Sequence, residues 1–391
     1  MPPFPWRVLQ QQPAEMKVAY FTESLLPLVD GVSLTLAHLF DHLERAGVDF
    51  RVYSPFVPGP EVAWSGRVHR VPYVRFPLHR EYRVSLPLGH RVSARLDAYG
   101  PDLVHVVSPT PLAVRAQKYA ARHGIPVVSS FHTHFVSYFR FYGFGGLEGL
   151  GWRILRRFYA RCARVYAPSR SIIRELAEHG ITHTELWSRG IDAARFSPEC
   201  RDPALRALAG ADAETPLLLM VSRLVKEKDM ADLVEMERIL RARGNRHRLA
   251  LVGDGPMRAE LERALPDAYF AGHQAGEALA RWYASGDLFV FPSTTETFGN
   301  VILEAHASGL PAVVVDRGGP PDLVEPGRTG WIARANDPAD LADRVESLLR
   351  DPAARAEMGR AAREAARARD WGAINGRLVE SYRARVAEAR R

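Results

Sequence analysis

At 391 residues the chain is too long for one ordinary core and suits two α/β domains of roughly 150 to 200 residues each, so a cleft between domains is expected. Hydrophobic residues make up 47% and charged residues 25%, which excludes general disorder and a coiled coil. A net charge of +7 favours anionic partners, whether phosphates, acidic lipids or nucleic acid, without locating the contact.

Met1 to Glu15 is rich in Pro and Gln and lacks an apolar stretch of signal-peptide length; it is expected to be a disordered extension and not a cleaved leader. No run of 18 apolar residues occurs, which argues against a conventional membrane span and leaves peripheral contact as the membrane option. The two cysteines, Cys162 and Cys200, form neither a disulfide framework nor a C-x-x-C metal site, and a reducing compartment suits them. The expected location is cytoplasmic, including the inner face of the cytoplasmic membrane.

Short apolar runs bounded by turn residues follow: Lys17 to Phe21, Phe50 to Tyr53, Leu103 to Val107, Pro126 to Ser130 and Arg164 to Ala167. They predict buried parallel strands. Helix-period segments such as Ser33 to Ala46 and Thr110 to His123 lie between them, giving the βαβ alternation of a doubly wound sheet. Trp187 to Pro198 has no clear period and is expected to be the interdomain linker. A second series of strands follows at Leu217 to Val221, Arg248 to Val252, Leu288 to Phe291 and Ala312 to Val315. Its helices are expected at Met230 to Arg243, Glu277 to Ala284 and Asn300 to Ser308. Beyond Ala339 the chain is Ala/Arg/Glu-rich and helical, broken at Asp370 to Gly372 before a last helix from Ala373 that is expected to recross the cleft.

Chemistry gathers at the ends of these strands, where doubly wound sheets bind ligands. Thr22 to Thr35 carries Gly31 just before a helix, and a glycine there admits a phosphate close to the backbone. The stretch S-S-F-H-T-H-F at Ser129 to Phe135 delivers His132 and His134; metal ligation by the pair would require further ligands that the sequence does not place. The segment V-S-R-L-V-K-E-K-D-M, Val221 to Met230, offers Arg223 and Lys228 as two cations at a strand end, where an anionic ligand could be met without a divalent metal. No D-x-D metal motif is present. Gly253 to Pro256 reads as a structural turn, with no catalytic role for Asp254.

In P-S-T-T-E-T-F-G-N-V-I-L-E-A, Pro292 to Ala305, Glu296 and Glu304 are eight steps apart. On one helix, at about 100° per residue, they would sit about 80° apart, so joint action puts Glu296 on a loop and Glu304 in the helix that follows. Gly299 permits close approach of a ligand, and the first amides of the helix suit a diphosphate. Two exposed acids on a capped helix are the plain alternative.

The whole segment resembles the E-x7-E signature of glycosyltransferase family 4, whose members have the GT-B fold. The resemblance continues through Ser308 to Pro311, then Asp316, Gly318, Gly319 and Pro320, and then Glu325 and Gly327 to Gly330. Arg223 and Lys228 match the family's strand-end G-R-L-x-x-x-K-G segment, with Ser222 in place of the glycine. R-G-I-D-A-A-R-F-S-P, Arg189 to Pro198, is similar to its linker, so the likeness spans nearly Met16 to Trp371.

The resemblance implies an α/β architecture of two Rossmann-like doubly wound domains facing across a cleft. It places an acceptor-side domain over 16–188, completed by a helix over 372–391, and a nucleotide-sugar domain over 189–371. It implies that Glu296 and His132 face the transferred sugar, that Glu304 holds the ribose, and that Phe298, Gly299 and Asn300 line donor sugar and phosphates. Gly31 would meet the donor phosphate or the acceptor. Retention of anomeric configuration without a cofactor or a required metal follows from the same likeness.

Donor base, GDP or UDP, is not legible. The basic, aromatic stretches Arg67 to Pro87 and Ser137 to Arg164 resemble acceptor-side regions of sulfoquinovosyl- and mannosyltransferase-like members that act on lipids, so a lipid or glycan acceptor and an anionic membrane surface are the expected partners. A two-carboxylate glycosidase would leave Arg223 and Lys228 unexplained. A nucleotide-sugar epimerase of related fold would release a changed donor without an acceptor. A basic nucleic-acid-binding protein would account for the charge but not for the ordered motifs, and nucleic acid is not an expected partner.

Overall fold

The structure is a computed structural model that describes residues 16–75, 83–86, 89–133, 146 and 148–391. The expectations for Met1 to Glu15, for His134, and for parts of Arg67 to Pro87 and Ser137 to Arg164 lie outside these residues. The chain forms two compact units, one comprising 1–130, 157–165 and 375–391, the other 131–156 and 166–374.

In the first unit, β1 (Lys17–Phe21) pairs in parallel with β2 (Asp49–Ser54) and with the later strand Leu103–Val106, and β2 pairs with β3 (Val68–Arg70). β4 (Tyr73–Arg75) and β5 (Arg83–Ser85) form a separate antiparallel pair. With β6 (Leu103–Val106), β7 (Val127–Ser130), β8 (Arg164–Ala167) and β9 (Thr184–Leu186), the main sheet runs β3-β2-β1-β6-β7-β8-β9. β1 and β6 are almost continuously apolar and, apart from Lys17, buried, as strands covered on both faces must be. The last helix, Trp371–Ala389, sends Asn375 and Tyr382 into this unit. Tyr382 Oη lies 2.7 Å from His105 Nδ1, and the other nitrogen of that buried ring is 3.0 Å from Ser130 Oγ.

The second unit holds a six-stranded sheet of β10 (Leu217–Val221), β11 (Arg248–Val252), β12 (Tyr269–Gly272), β13 (Leu288–Phe291), β14 (Ala312–Val315) and β15 (Gly330–Ala333). Its order is β12-β11-β10-β13-β14-β15, every neighbouring pair parallel. The order reverses between β10 and β13. In a doubly wound sheet the crevice at that switch point, at the carboxyl ends of the strands, is where ligands bind.

Two glycines hold the loops there close together. A Cβ on Gly253, which has φ +144°, would lie 1.8 Å from the Ser222 carbonyl oxygen, and one on Gly255 would lie 2.4 Å from that of Leu224. The Gly253–Pro256 turn thus packs backbone to backbone under the segment carrying Arg223, the structural role expected of it. Cys162 and Cys200 are both free.

Candidate active site

β10 and β13 end side by side, and their extensions carry the chemistry. After β10 the chain turns through a short 3-10 segment, Lys226–Lys228, into the helix Met230–Ala242. Asp229 makes that turn with φ +54°. After β13 comes the loop Pro292–Gly299, then the helix Asn300–Ala307.

Asp229 stitches turn to loop, its carboxylate accepting the Thr294 amide at 2.7 Å and the Thr294 hydroxyl at 2.9 Å. Burial raises the Asp229 carboxyl above its ordinary value against those bonds. Thr295 Oγ1 donates to the Glu227 carbonyl at 2.8 Å. These three bonds place Lys228 Nζ on Glu296 Oε1 as a direct ion pair, although 68 residues separate the two.

The Glu296 loop is held from behind as well. The Gly319 amide donates to the Glu296 carbonyl at 2.7 Å. A Cβ on Gly318 would meet the Glu296 carbonyl oxygen at 2.3 Å, and one on Gly319 the Thr297 carbonyl oxygen at the same distance. The paired glycines are therefore a bed for the loop that carries Glu296. Ser169 Oγ donates to the Thr297 carbonyl at 3.0 Å, and Thr297 Oγ1 donates to the His132 carbonyl at 2.7 Å. His132 is thereby tied to the residue next to Glu296.

Phe298 is buried, with the Arg369 guanidinium 5.9 Å from its ring centroid, so its side chain is core. Gly299 has φ +99°, a conformation an L side chain rarely adopts, and no side chain caps the helix it begins. Asn300 opens that helix, whose first amides suit an anion.

Glu304 lies one turn further on. Burial pushes its carboxyl up to about 7, against the Tyr283 hydroxyl and the charge of Arg195, which both favour the carboxylate. Since the unfolded chain holds the ordinary value of 4.5, the ligand-free fold loses stability as pH rises from there to about 7 and levels off above it. Ribose hydroxyls donate to a carboxylate, so the ribose role that the sequence resemblance implies for Glu304 predicts a donor KM that falls about tenfold between pH 6 and pH 8, following deprotonation. Glu304→Gln should flatten that profile and keep KM high throughout. A wild-type KM that stays level over this range would remove Glu304 from the donor site.

Arg223 is placed differently from the rest. Its side chain is largely in solvent, with Nη2 3.7 Å from Glu227 Oε1, and it does not join the Lys228–Glu296 pair. Gly31, in the first unit, is the first residue of the helix Gly31–Arg45. The Asp30 carboxylate accepts the amides of Val32 and Ser33 at 2.9 and 2.7 Å, completing a capping box that does not use the Gly31 amide. A phosphate at that helix start would have to compete with Asp30.

Asp229, Thr294, Thr295, Thr297 and Ser169 were not among the predicted site residues. The only cue to Asp229 was its place between a lysine and a helix, and nothing local marks the hydroxyls. Among the described residues no group of three or more His, Cys, Asp or Glu is placed to hold a metal ion.

Comparison with known proteins identifies the family. Residues 29–195 match the model of "Glycosyltransferase Family 4", and residues 215–351 that of "Glycosyl transferases group 1". A GDP-mannose-dependent alpha-mannosyltransferase of Mycolicibacterium smegmatis is 38% identical, the match covering 94% of this chain and 97% of the relative. The sulfoquinovosyl transferase SQD2 of Arabidopsis thaliana is 32% identical over 95% of this chain and 74% of its own. In fold, Anabaena Alr3699/HepE, solved with UDP-glucose, superposes with TM-score 0.73 at 22% identity over 94% of this chain and all of its own. Sucrose-phosphate synthase from Thermosynechococcus elongatus gives 0.73 at 20% identity over 95% of this chain and all of its own. The two parallel-sheet units have the GT-B fold, and the chain belongs to glycosyltransferase family 4.

Proposed function

We propose that this glycosyltransferase moves a hexose, with retention of configuration, from a nucleotide diphosphate sugar to a hydroxyl of a membrane lipid or glycolipid. The observation that carries the reading is the joining of Lys228 to Glu296 at the switch point, beside a glycine-started helix and a ribose-suited carboxyl at Glu304. In the reaction the acceptor oxygen bonds to the anomeric carbon while the bond from that carbon to the phosphate oxygen breaks on the same face. The acceptor proton passes to the leaving phosphate, and a nucleoside diphosphate departs. Lys228 meets the charge that develops there, with Arg223 swinging in from solvent to join it. Glu296 and His132 hold the sugar, and Glu304 the ribose. No metal is needed for this division of labour.

GDP-mannose is the first donor to test, because mannosyltransferases named for it align over nearly the whole chain. A lipid acceptor is supported by apolar residues left in solvent among arginines. Leu150 and Ile154 are exposed four residues apart on the helix Glu148–Tyr159, near the exposed Arg153, Arg156 and Arg157. Val74, Val84 and Leu86 are exposed at the β4–β5 pair. Such a mixture suits an anionic bilayer surface. Among the described residues no helix is long and apolar enough to cross a membrane.

The test is a panel of GDP- and UDP-sugars incubated with anionic vesicles containing a lipid extract, with and without EDTA, with products read by mass and anomeric coupling. One donor should yield an α-linked glycolipid at the same rate in EDTA. An altered nucleotide sugar with no acceptor product would overturn the reading in favour of an epimerase. Loss of activity in EDTA restored by Mg²⁺ would overturn the metal-free mechanism.

A further inference from the structure

We infer that Arg189 fixes the tautomer of His132, making Nε2 of that ring a hydrogen-bond donor toward the transferred sugar. The role toward sugar rests on the glycosyl-transfer reading; the tautomer rests on geometry alone. Arg189 Nη2 lies 2.9 Å from His132 Nδ1. A guanidinium has N–H groups and no acceptor, so it can only donate. Nδ1 must therefore present its lone pair, and the proton of the neutral ring resides on Nε2. A second proton on Nδ1 would set two donors and two positive charges face to face.

The arginine is built to stay there. It is 4% exposed, and Nη1 donates to the carbonyls of Trp187 at 2.6 Å and Ser188 at 3.2 Å. Its guanidinium lies 4.9 Å from the Trp187 ring centroid, and the same indole meets the His132 ring edge-on at 5.5 Å. Burial draws the guanidinium down to about 9, which leaves it protonated at neutral pH. None of the ion pairs among the described residues gives it a carboxylate.

The segment bearing it is clamped as well. A Cβ on Gly190 would lie 2.6 Å from Trp371 Cγ, Ile191 N donates to the Arg369 carbonyl at 3.2 Å, and Arg369 Nη1 donates to Ser188 Oγ at 3.1 Å. Arg189 fixes the ring and Thr297 fixes the backbone, so His132 is oriented from both ends beside the Glu296 loop. The R-G-I-D motif, which reads from sequence as a linker, supplies the positioning residue. With Nδ1 engaged and Nε2 protonated, His132 lends a hydrogen bond to a sugar oxygen and takes no proton from the acceptor.

Two-bond ¹H–¹⁵N spectra of [¹⁵N]histidine-labelled protein, with the His132 ring assigned by its loss in His132→Asn, test the tautomer without requiring turnover. Between pH 6 and 8 the wild type should show a pyridine-type Nδ1 and a pyrrole-type Nε2. A pyrrole-type Nδ1, or a doubly protonated ring at pH 7, would overturn the inference. In kinetics, Arg189→Met should lower kcat roughly 10- to 100-fold with donor KM within about threefold of wild type. In a His132→Ala background the same change should have less than about twofold further effect, since Arg189 acts through the ring. Additive losses would make Arg189 merely structural. If no transfer is found at all, the functional reading fails while the spectra still decide the tautomer.

Discussion

Lys228→Ala is expected to lower kcat/KM about 100- to 1,000-fold, the scale seen when a single preorganised group facing developing charge is removed. The leaving diphosphate gains negative charge as the glycosidic bond breaks, and the ammonium is held at its place before the reaction begins. That placement comes from Asp229, Thr294 and Thr295, whose bonds join the two loops and do not use the lysine ammonium as a donor. The fold should change little, because Glu296 keeps a quarter of its side chain in solvent and its carboxylate stays hydrated once the largely buried lysine is gone. Melting within about 4 °C of wild type together with the rate loss would place Lys228 in the chemistry. A near-normal kcat/KM would remove it, and a collapse in melting temperature would make the pair structural.

Much of this arrangement was legible because buried parallel strands announce themselves. Lys17–Phe21, Leu217–Val221, Arg248–Val252 and Ala312–Val315 occupy the residues that their apolar runs predict. Strands with one or both faces less buried gave no such run. Val68–Arg70 and Thr184–Leu186 mix polar with apolar residues, and Tyr269–Gly272 is short, only half-buried and ends in glycine; none of the three was foreseen. The last helix starts at Trp371, inside the expected break, because Asp370 accepts the Ala373 amide at 2.7 Å and so begins the helix that Gly372 suggested was interrupted.

At the site, local motifs marked Glu296, Glu304, Lys228 and His132, but not the bonds that join them. Those bonds run between loops 65 to 165 residues apart, and each depends on how two strand ends meet. Arg189 was hidden for another reason. Arginine belongs on surfaces by composition alone, and only the fold shows one buried against a histidine 57 positions away. The raised carboxyl of Glu304 is equally a product of burial that no spacing encodes.

Glu296→Gln is expected to lower kcat about 100-fold while the donor KM stays level or falls, the opposite of the KM rise expected for Glu304→Gln. Glutamine keeps the shape and one acceptor oxygen but loses the charge that can stabilise a positive anomeric centre, and that charge develops only as the bond breaks. A contact made in the transition state appears in kcat, whereas one made equally in ground and transition states appears in KM. The ion pair adds a second consequence. In the free protein the Glu296 carboxylate occupies the ammonium of Lys228, and a diphosphate has to draw that ammonium away. Removing the carboxylate's charge releases the lysine for the anion, so ground-state binding tightens as turnover slows. Initial rates at saturating acceptor and varied donor, beside nucleoside diphosphate affinity by calorimetry, read both effects. A Glu296→Gln variant with a raised donor KM and unchanged kcat would show that the acid grips the donor in the ground state and takes no part as the bond to the sugar breaks.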